Sequence, residues 1–326
     1  MKTIDYNEDY NMRILFMGTP DFADASLKAL IADGRNVVGV VTNPDKPKGR
    51  GHKMMEPPVK QTAVAAGIPV WQPTSLKNGE LEEVLRELEP DIICVVAYGK
   101  ILPAYVLRYP KYGCVNVHGS LLPKYRGAAP IQRAIIDGEE YSGITTMLMS
   151  EGLDTGDMLL CEKVQIGEEE TSEQLFDRLA PIGGALLLKT IDGLKNNTIK
   201  PVAQDNALAT YASMIKKEEG LIDWSQDSAT ICNLVRGMNS WPMAYTYYMG
   251  ETVKIISAVP GVEETQEKPG TIIGLEKNSG LKVACGDGVV VVQWVQFPGS
   301  RKMNIEDYMR GHDIKQGTVF GVDPRS

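Results

Sequence analysis

Asn116 and His118 stand two residues apart in the run Asn116-Val117-His118-Gly119-Ser120-Leu121-Leu122-Pro123, and His118 is one of only three histidines among 326 residues. Apolar residues precede the pair and a Gly/Pro-rich stretch follows it, which predicts a strand over 113–118 giving way to a loop. On a strand, side chains two apart point to the same face. An amide donor and an imidazole side by side at such a point can hold a carbonyl oxygen as it becomes an oxyanion. The plainer alternative is a hydrogen-bonded histidine at a strand end beside a turn-forming asparagine, the commoner outcome for an isolated Asn-x-His.

A second polar element is Glu151-Gly152-Leu153-Asp154-Thr155-Gly156-Asp157, where two glycines allow a tight loop to aim the Asp154 carboxylate. Taken alone, such an aspartate is usually a turn residue bonded to its own backbone. The run lacks the series of oxygen ligands that a calcium loop requires, and no metal site is expected. If the loop folds over His118, the carboxylate would set the tautomer of the imidazole. An Asn–His–Asp set without a Ser or Cys nucleophile fits direct acyl transfer to an incoming amine. An α-amino group has a pKa of about 7.7–8.0, so a useful fraction is neutral and nucleophilic. Attack gives a zwitterionic tetrahedral species: Asn116 and His118 suit its oxyanion, and Asp154, directly or through water, suits removal of the ammonium proton.

The elements that must position these groups follow from the alternation of apolar runs. Residues 13–17 read as a buried strand, followed by a helix to about Ala32, with Thr19 as its cap and Pro20 in its first turn. A strand over 36–42 completes a βαβ opening. Gly18-Thr19-Pro20 supplies one glycine where a dinucleotide fingerprint needs three, which argues against a nicotinamide or flavin. Helices are expected over 57–66, 79–87, 129–137 and 172–194, the last with Thr171 and Gln174 at capping-box spacing. Strands are expected over 69–71, 91–97, 143–149 and 158–164, and the second of these, apolar on both faces, reads as a central parallel strand. The expected fold is α/β and Rossmann-like, a largely parallel sheet with helices on both faces.

Beyond a linker at 199–211 the period changes. After a helix near 228–238, short β-branched runs at 252–258, 270–275, 280–285 and 289–297 are broken by glycines with no helix between them. That pattern predicts a small C-terminal β-barrel, OB-like. The expected organisation is an N-terminal extension at 1–11, a catalytic domain at 12–198, the linker, and a barrel domain at 212–326.

Composition narrows the class. At 43% hydrophobic and 23% charged the chain has the make-up of a folded domain rather than a disordered segment. No apolar run approaches the ~20 residues of a membrane helix, and Asp5, Glu8 and Asp9 do not suit a signal peptide. Five scattered cysteines without a C-x-x-C pair suit reduced thiols and a cytoplasmic location. A net charge of −8 argues against wrapping nucleic acid over the whole surface. A local basic stretch survives that argument: residues 44–53 carry Lys46, Lys48, Arg50 and Lys53 against Asp45, and their Pro and Gly content excludes a regular helix or a central strand.

The run NVHGSLLPKYRGAAPIQRA at 116–134, with GLDTGDML at 152–159, resembles the 10-formyltetrahydrofolate-dependent formyltransferases. The likeness extends to FMGTPDFA at 16–23, the 43–53 loop, VVAYGKILP at 95–103 and Trp241-Pro242, so it covers essentially the whole chain after Met12. The resemblance implies that Asn116, His118 and Asp154 are the catalytic set and that Ser120, Leu121, Leu122 and Pro123 contact the folate. It implies 10-formyltetrahydrofolate as formyl donor and the methionine amine of charged initiator tRNA as acceptor, in translation initiation. On the same ground, Lys46, Lys48, Arg50 and Lys53 would enter the tRNA acceptor stem and the barrel would carry part of the RNA.

For the barrel the charge balance is less favourable, because residues from Ala212 onward hold 12 Lys/Arg against 14 Asp/Glu. Any footprint there must be a clustered face, with Lys216, Lys217, Arg301, Lys302 and Arg310 as candidates, against the alternative that these are ordinary solvated charges. Tyr125 and Arg126 either shape the folate pocket or brace the loop. His52 and His312 get no catalytic role, Trp241-Pro242 suits a packing role, and no obligate protein partner is evident. Two other readings compete. A formyltransferase acting on an amino sugar would keep the chemistry but has no use for the basic insertion. A catalytically silent α/β binding protein has no need of Asn116, His118 and Asp154 together.

Overall fold

A computed structural model of the chain describes residues 12–48 and 53–321. In chain order the first elements are β1 (Ile14–Gly18), α1 (Asp21–Ala32), β2 (Val37–Val41), β3 (Lys46–Lys48), β4 (Lys53–Met55), α2 (Pro58–Ala65) and β5 (Val70–Trp71). There follow α3 (Glu82–Leu88), β6 (Ile92–Val96), α4 (Ala104–Leu107), β7 (Cys114–His118), β8 (Arg126–Gly127), α5 (Pro130–Ile136), β9 (Tyr141–Leu148), β10 (Met158–Gln165), α6 (Ser172–Lys195) and β11 (Tyr211–Ala212). The last are α7 (Ser228–Gly237), β12 (Ala244–Tyr248), β13 (Glu251–Pro260), β14 (Ile272–Glu276), β15 (Gly280–Ala284), β16 (Val289–Gln296), β17 (Met303–Asn304) and α8 (Ile305–Met309).

By its contacts the chain divides into two units. One comprises residues up to Pro130 with Ser142–Val164 and Phe176–Ala212, the other Ile131–Tyr141, Gln165–Leu175 and the chain from Ser213 onward. The stretch 199–211, expected as a linker, lies inside the first unit.

The first unit is built on a seven-stranded sheet in the order β10-β9-β7-β6-β1-β2-β5. β1, β2, β5, β6 and β7 run parallel, while β9 runs antiparallel to β7. Every residue of β1 and β6 is buried, which is why both read as unbroken apolar runs rather than alternating ones. Phe22, Ala23, Leu27 and Leu30 form the buried stripe of α1. From β1 the chain winds outward through β2 and β5 on one side and through β6 and β7 on the other. That reversal opens a crevice at the carboxyl ends of the strands, where open α/β sheets take their ligands. Phe16 lies at 0% exposure in the central strand. Phe16→Ala should therefore lower unfolding stability by about 3–5 kcal/mol, read by urea denaturation, since little can collapse into the space.

Three local expectations are corrected or refined. Thr19 does not cap α1: Pro20 is the capping residue, and the Thr19 hydroxyl instead accepts from Asn43 Nδ2 at 3.0 Å. The 43–53 stretch, read as a loop that is neither a helix nor a central strand, is neither of these in its described residues but does contain a pairing: β3 and β4 run antiparallel as a ribbon apart from the main sheet, with Pro47 opposite Met54. A two-stranded ribbon tolerates that proline because each strand has a free edge. Lys60 braces its base through Asp45 at 2.8 Å and Glu56 at 2.9 Å. Arg50 and His52 lie outside the described residues. Thirdly, Trp241 is 55% exposed, more than a packing role predicts. The α6 start follows expectation: Thr171 N–H donates to Gln174 Oε1 at 2.9 Å and Gln174 N–H to Thr171 Oγ1 at 3.3 Å.

In the second unit the sheet runs β12-β13-β16-β15-β14, with β17 beside β16. The backbone of 317–321 bonds Gly270 and Ile272 on one side and Tyr247 on the other, linking the β14 end of the sheet to β12. β12, β17 and α8 were not read from the sequence; the two strands are short or Tyr-rich, without a period-two pattern.

Candidate active site

Asn116 and His118 lie on β7, where register pairs Asn116 with Val95 of β6 and Met147 of β9, and His118 with Thr145. Their positions two apart put them on one face of the strand, at its carboxyl end and in the crevice. His118 is 6% exposed. Its Nε2 lies 2.8 Å from the Tyr125 carbonyl oxygen. A carbonyl only accepts, so Nε2 carries the proton and Nδ1 is the free lone pair of the neutral ring. Nδ1 faces Asp154 Oδ2 at 3.7 Å, with the carboxylate side chain only 12% exposed. The loop after β9 does fold over His118. The tautomer, however, is set by the Tyr125 carbonyl and not by Asp154, a correction to the sequence expectation. Asp154 places a carboxylate 3.7 Å from the other ring nitrogen, Nδ1.

The half-buried amide of Asn116 has no hydrogen-bond partner among the described residues. A donor left unspent beside an imidazole is what an incoming carbonyl oxygen requires.

The loop that holds these groups is rigidly built. Ser120 Oγ donates to the Lys124 carbonyl at 2.7 Å, Thr145 Oγ1 donates to the Ser120 carbonyl at 2.7 Å, and Leu122 N–H donates to Thr145 Oγ1 at 3.1 Å. Ser120 thus spends its hydrogen within the loop, and of the four residues expected to contact folate, Leu121 and Pro123 are the partly exposed ones. Asp154 has a left-handed backbone at φ 51°, and its Oδ2 accepts the Gly127 N–H at 2.8 Å. Gly127, at φ 122°, lies so close to β11 that a Cβ would come 2.6 Å from the Ala212 carbonyl oxygen. At Gly156 a Cβ would fall on the Leu148 carbonyl oxygen. Glycines are obligatory at both points.

Tyr125 and Arg126 turn out to brace. Tyr125 N–H donates to Thr210 Oγ1 at 2.9 Å and Arg126 N–H to the Thr210 carbonyl at 2.9 Å. The Arg126 guanidinium, 2% exposed, donates to Gln204 Oε1 from Nε at 2.9 Å and Nη2 at 2.8 Å, and from Nη2 to Asn206 Oδ1 at 2.9 Å. Gln204, Asn206 and Thr210 went unread because they lie in a stretch without apolar periodicity. Nothing in their local sequence signals a partner about 80 residues away. At the switch point itself, Tyr98 follows β6 with a buried hydroxyl that has no partner among the described residues, and burial pushes its pKa up to about 12.

A cleft of about 670 Å³ opens on the same carboxyl edge, lined by Thr19, Asn43, Asp24 and Lys28 and walled by Lys46 and Met55 of the ribbon. None of Asn116, His118 or Asp154 lines it, so the space that the ribbon borders is not the one that those three residues line. Lys46, Lys216, Lys217, Arg301 and Lys302 are all exposed. Arg310 is paired with Asp307 at 3.1 Å.

Comparison with known proteins bears on this arrangement. The formyl transferase family model matches residues 12–191, and the formyl transferase C-terminal domain model matches 214–313. A methionyl-tRNA formyltransferase of Clostridium botulinum is 52% identical over 311 residues, covering 95% of this chain and 100% of its own length. That of Acetivibrio thermocellus is 50% identical over 311 residues with the same coverage. Among solved structures, an N-formyltransferase from Helicobacter canadensis in complex with folinic acid and dTDP-3-aminofucose superposes with a TM-score of 0.63 at 21% identity, over 89% of this chain and 99% of that one. With full-length relatives at half identity and both domain models matched, this chain belongs to the formyl transferase family, on its methionyl-tRNA formyltransferase branch.

Proposed function

We propose that the chain transfers a formyl group from 10-formyltetrahydrofolate to the methionine amino group of methionyl initiator tRNA, with Asn116, His118 and Asp154 as its catalytic set. The observation that carries the residue assignment is the unspent Asn116 amide beside His118, whose Nδ1 faces Asp154 at 3.7 Å. The folate donor supplies an activated formyl carbonyl. As the amine attacks, Asn116 Nδ2 donates to the oxygen that gains charge, and His118 adds a second donor there only when Nδ1 as well as Nε2 carries a proton. Asp154 accepts the ammonium proton on the carboxylate oxygen not bonded to Gly127 and returns a proton to the departing folate nitrogen, which balances the step. Leu121 and Pro123, the exposed half of the 120–123 loop, suit contact with the folate ring system, while Ser120 and Leu122 hold the loop's shape.

The ribbon suits the tRNA acceptor stem. The lysines of residues 44–53, with Arg50 of the same stretch, supply positive charge for phosphates, and Lys46 and Met55 wall the cleft at the carboxyl edge of the sheet. Lys216, Lys217, Arg301 and Lys302 are the candidate contacts of the C-terminal unit. No helix of the described residues is long and apolar enough to cross a membrane.

The test supplies 10-formyltetrahydrofolate with methionyl initiator tRNA and, separately, with UDP-amino sugars; formylation confined to the sugar would overturn the assignment. For the ribbon, Arg50→Ala should raise KM for tRNA by about tenfold or more, the worth of one charge-assisted hydrogen bond. It should also reduce the slope of log affinity against log salt by about one. KM for the folate should stay put, and an equal rise in both would refute the role.

A further inference from the structure

We propose that Gln204 is a positioning residue that holds Asp154 in register with His118, an inference that rests on the catalytic reading of Asp154. The Gln204 side chain makes four strong bonds with one possible orientation. Its Oε1 accepts twice from the Arg126 guanidinium, at 2.9 and 2.8 Å, and arginine has no acceptor to offer in return. The amide nitrogen must then point the other way, and it donates to the Asp154 carbonyl at 2.8 Å and the Gly156 carbonyl at 2.7 Å. Both amide hydrogens are thereby spent on the loop that carries the carboxylate.

The same strap acts on the other half of the pair. Residues 204–212 pair with 125–128 through β11 and β8, with Tyr211 opposite Arg126 and Ala212 opposite Gly127. That pairing fixes the Tyr125 carbonyl, which orients His118, and the Gly127 N–H, which holds Asp154 Oδ2. One segment therefore sets the imidazole tautomer and the carboxylate position together. Gln204 is its only side-chain hydrogen bond to the Asp154 loop among the described residues. Asp154 has a left-handed backbone at φ 51°, uncommon for residues other than glycine though Asp adopts it more readily than most, and the two Gln204 donations help to hold it there.

Gln204→Glu separates the two halves of this arrangement. It keeps the contact to Arg126 and turns an oxygen lone pair toward carbonyls that need donors. The measurement is a double-mutant cycle of kcat and KM, with 10-formyltetrahydrofolate and methionyl initiator tRNA, for the wild type, Gln204→Glu, Asp154→Asn and the double variant. We expect Gln204→Glu to lower kcat about 10–100-fold, the usual cost of losing a residue that orients a functional group, with both KM values nearly unchanged. In the Asp154→Asn background the same substitution should cost less than about threefold, because there is no carboxylate left to position. An equal loss in both backgrounds, or wild-type kcat in Gln204→Glu, overturns the proposal. Should Gln204→Glu fail to fold, Gln204→Leu, which removes the donors without adding a charge, enters the same cycle with the same expected outcomes. Wild-type turnover in Asp154→Asn alone would instead sink the catalytic reading of Asp154, a distinguishable result.

Discussion

Asp154→Asn should lower kcat by about 10²–10⁴, the range for a positioned proton acceptor, while leaving the fold in place. An asparagine keeps a side-chain oxygen for the Gly127 N–H that Asp154 Oδ2 now accepts at 2.8 Å. It also tolerates a left-handed backbone better than most residues, so the φ of 51° is no obstacle. What is lost is the negative charge 3.7 Å from His118 Nδ1 and the capacity to take a proton. Near-native thermal unfolding with a collapsed kcat is the expected result, and the pH–rate profile carries the mechanistic information. The variant should keep the part of the pH dependence that follows protonation of the attacking amine and lose any part that the carboxylate supplies. A variant with wild-type kcat and an unaltered profile would show that another group takes the ammonium proton.

Asn116→Ala is the second large effect, about 10²–10³ in kcat, as for loss of one oxyanion donor. The Asn116 amide has no hydrogen-bond partner among the described residues, so its removal orphans no group among them. Stability should change by less than about 1 kcal/mol, because no buried group is left unsatisfied. KM for tRNA should hardly move, because the amide engages an oxygen whose charge develops only in the transition state. A large fall in stability, or a rise in KM with kcat intact, would mean that Asn116 serves the fold or ground-state binding instead.

The residues of the central sheet were legible because buried parallel strands leave no choice of composition. Both β1 and β6 are apolar on every residue, and both appear in the sequence as unbroken runs. The spacing of Asn116 and His118 was equally readable, since a two-residue step on a strand fixes a shared face. The basic ribbon was half legible: its charge was plain and its Pro and Gly excluded a helix or a central strand, but the short pairing of β3 with β4, which proline permits where an edge is free, was not read.

The sequence by itself therefore determined the α/β class, the strand-end placement of Asn116 and His118, the glycine loop around Asp154, and, through resemblance, the formyl donor and the amine acceptor. Only the tertiary structure decided that the Tyr125 carbonyl sets the His118 tautomer, that Asp154 hangs from the Gly127 N–H, and that Arg126 and Gln204 orient the loop. The physical reason is the same for each. A backbone carbonyl or N–H belongs to every residue, so nothing in residue type marks the one that will act. The Arg126–Gln204 contact joins positions 78 residues apart in sequence, a separation over which local pattern carries no information.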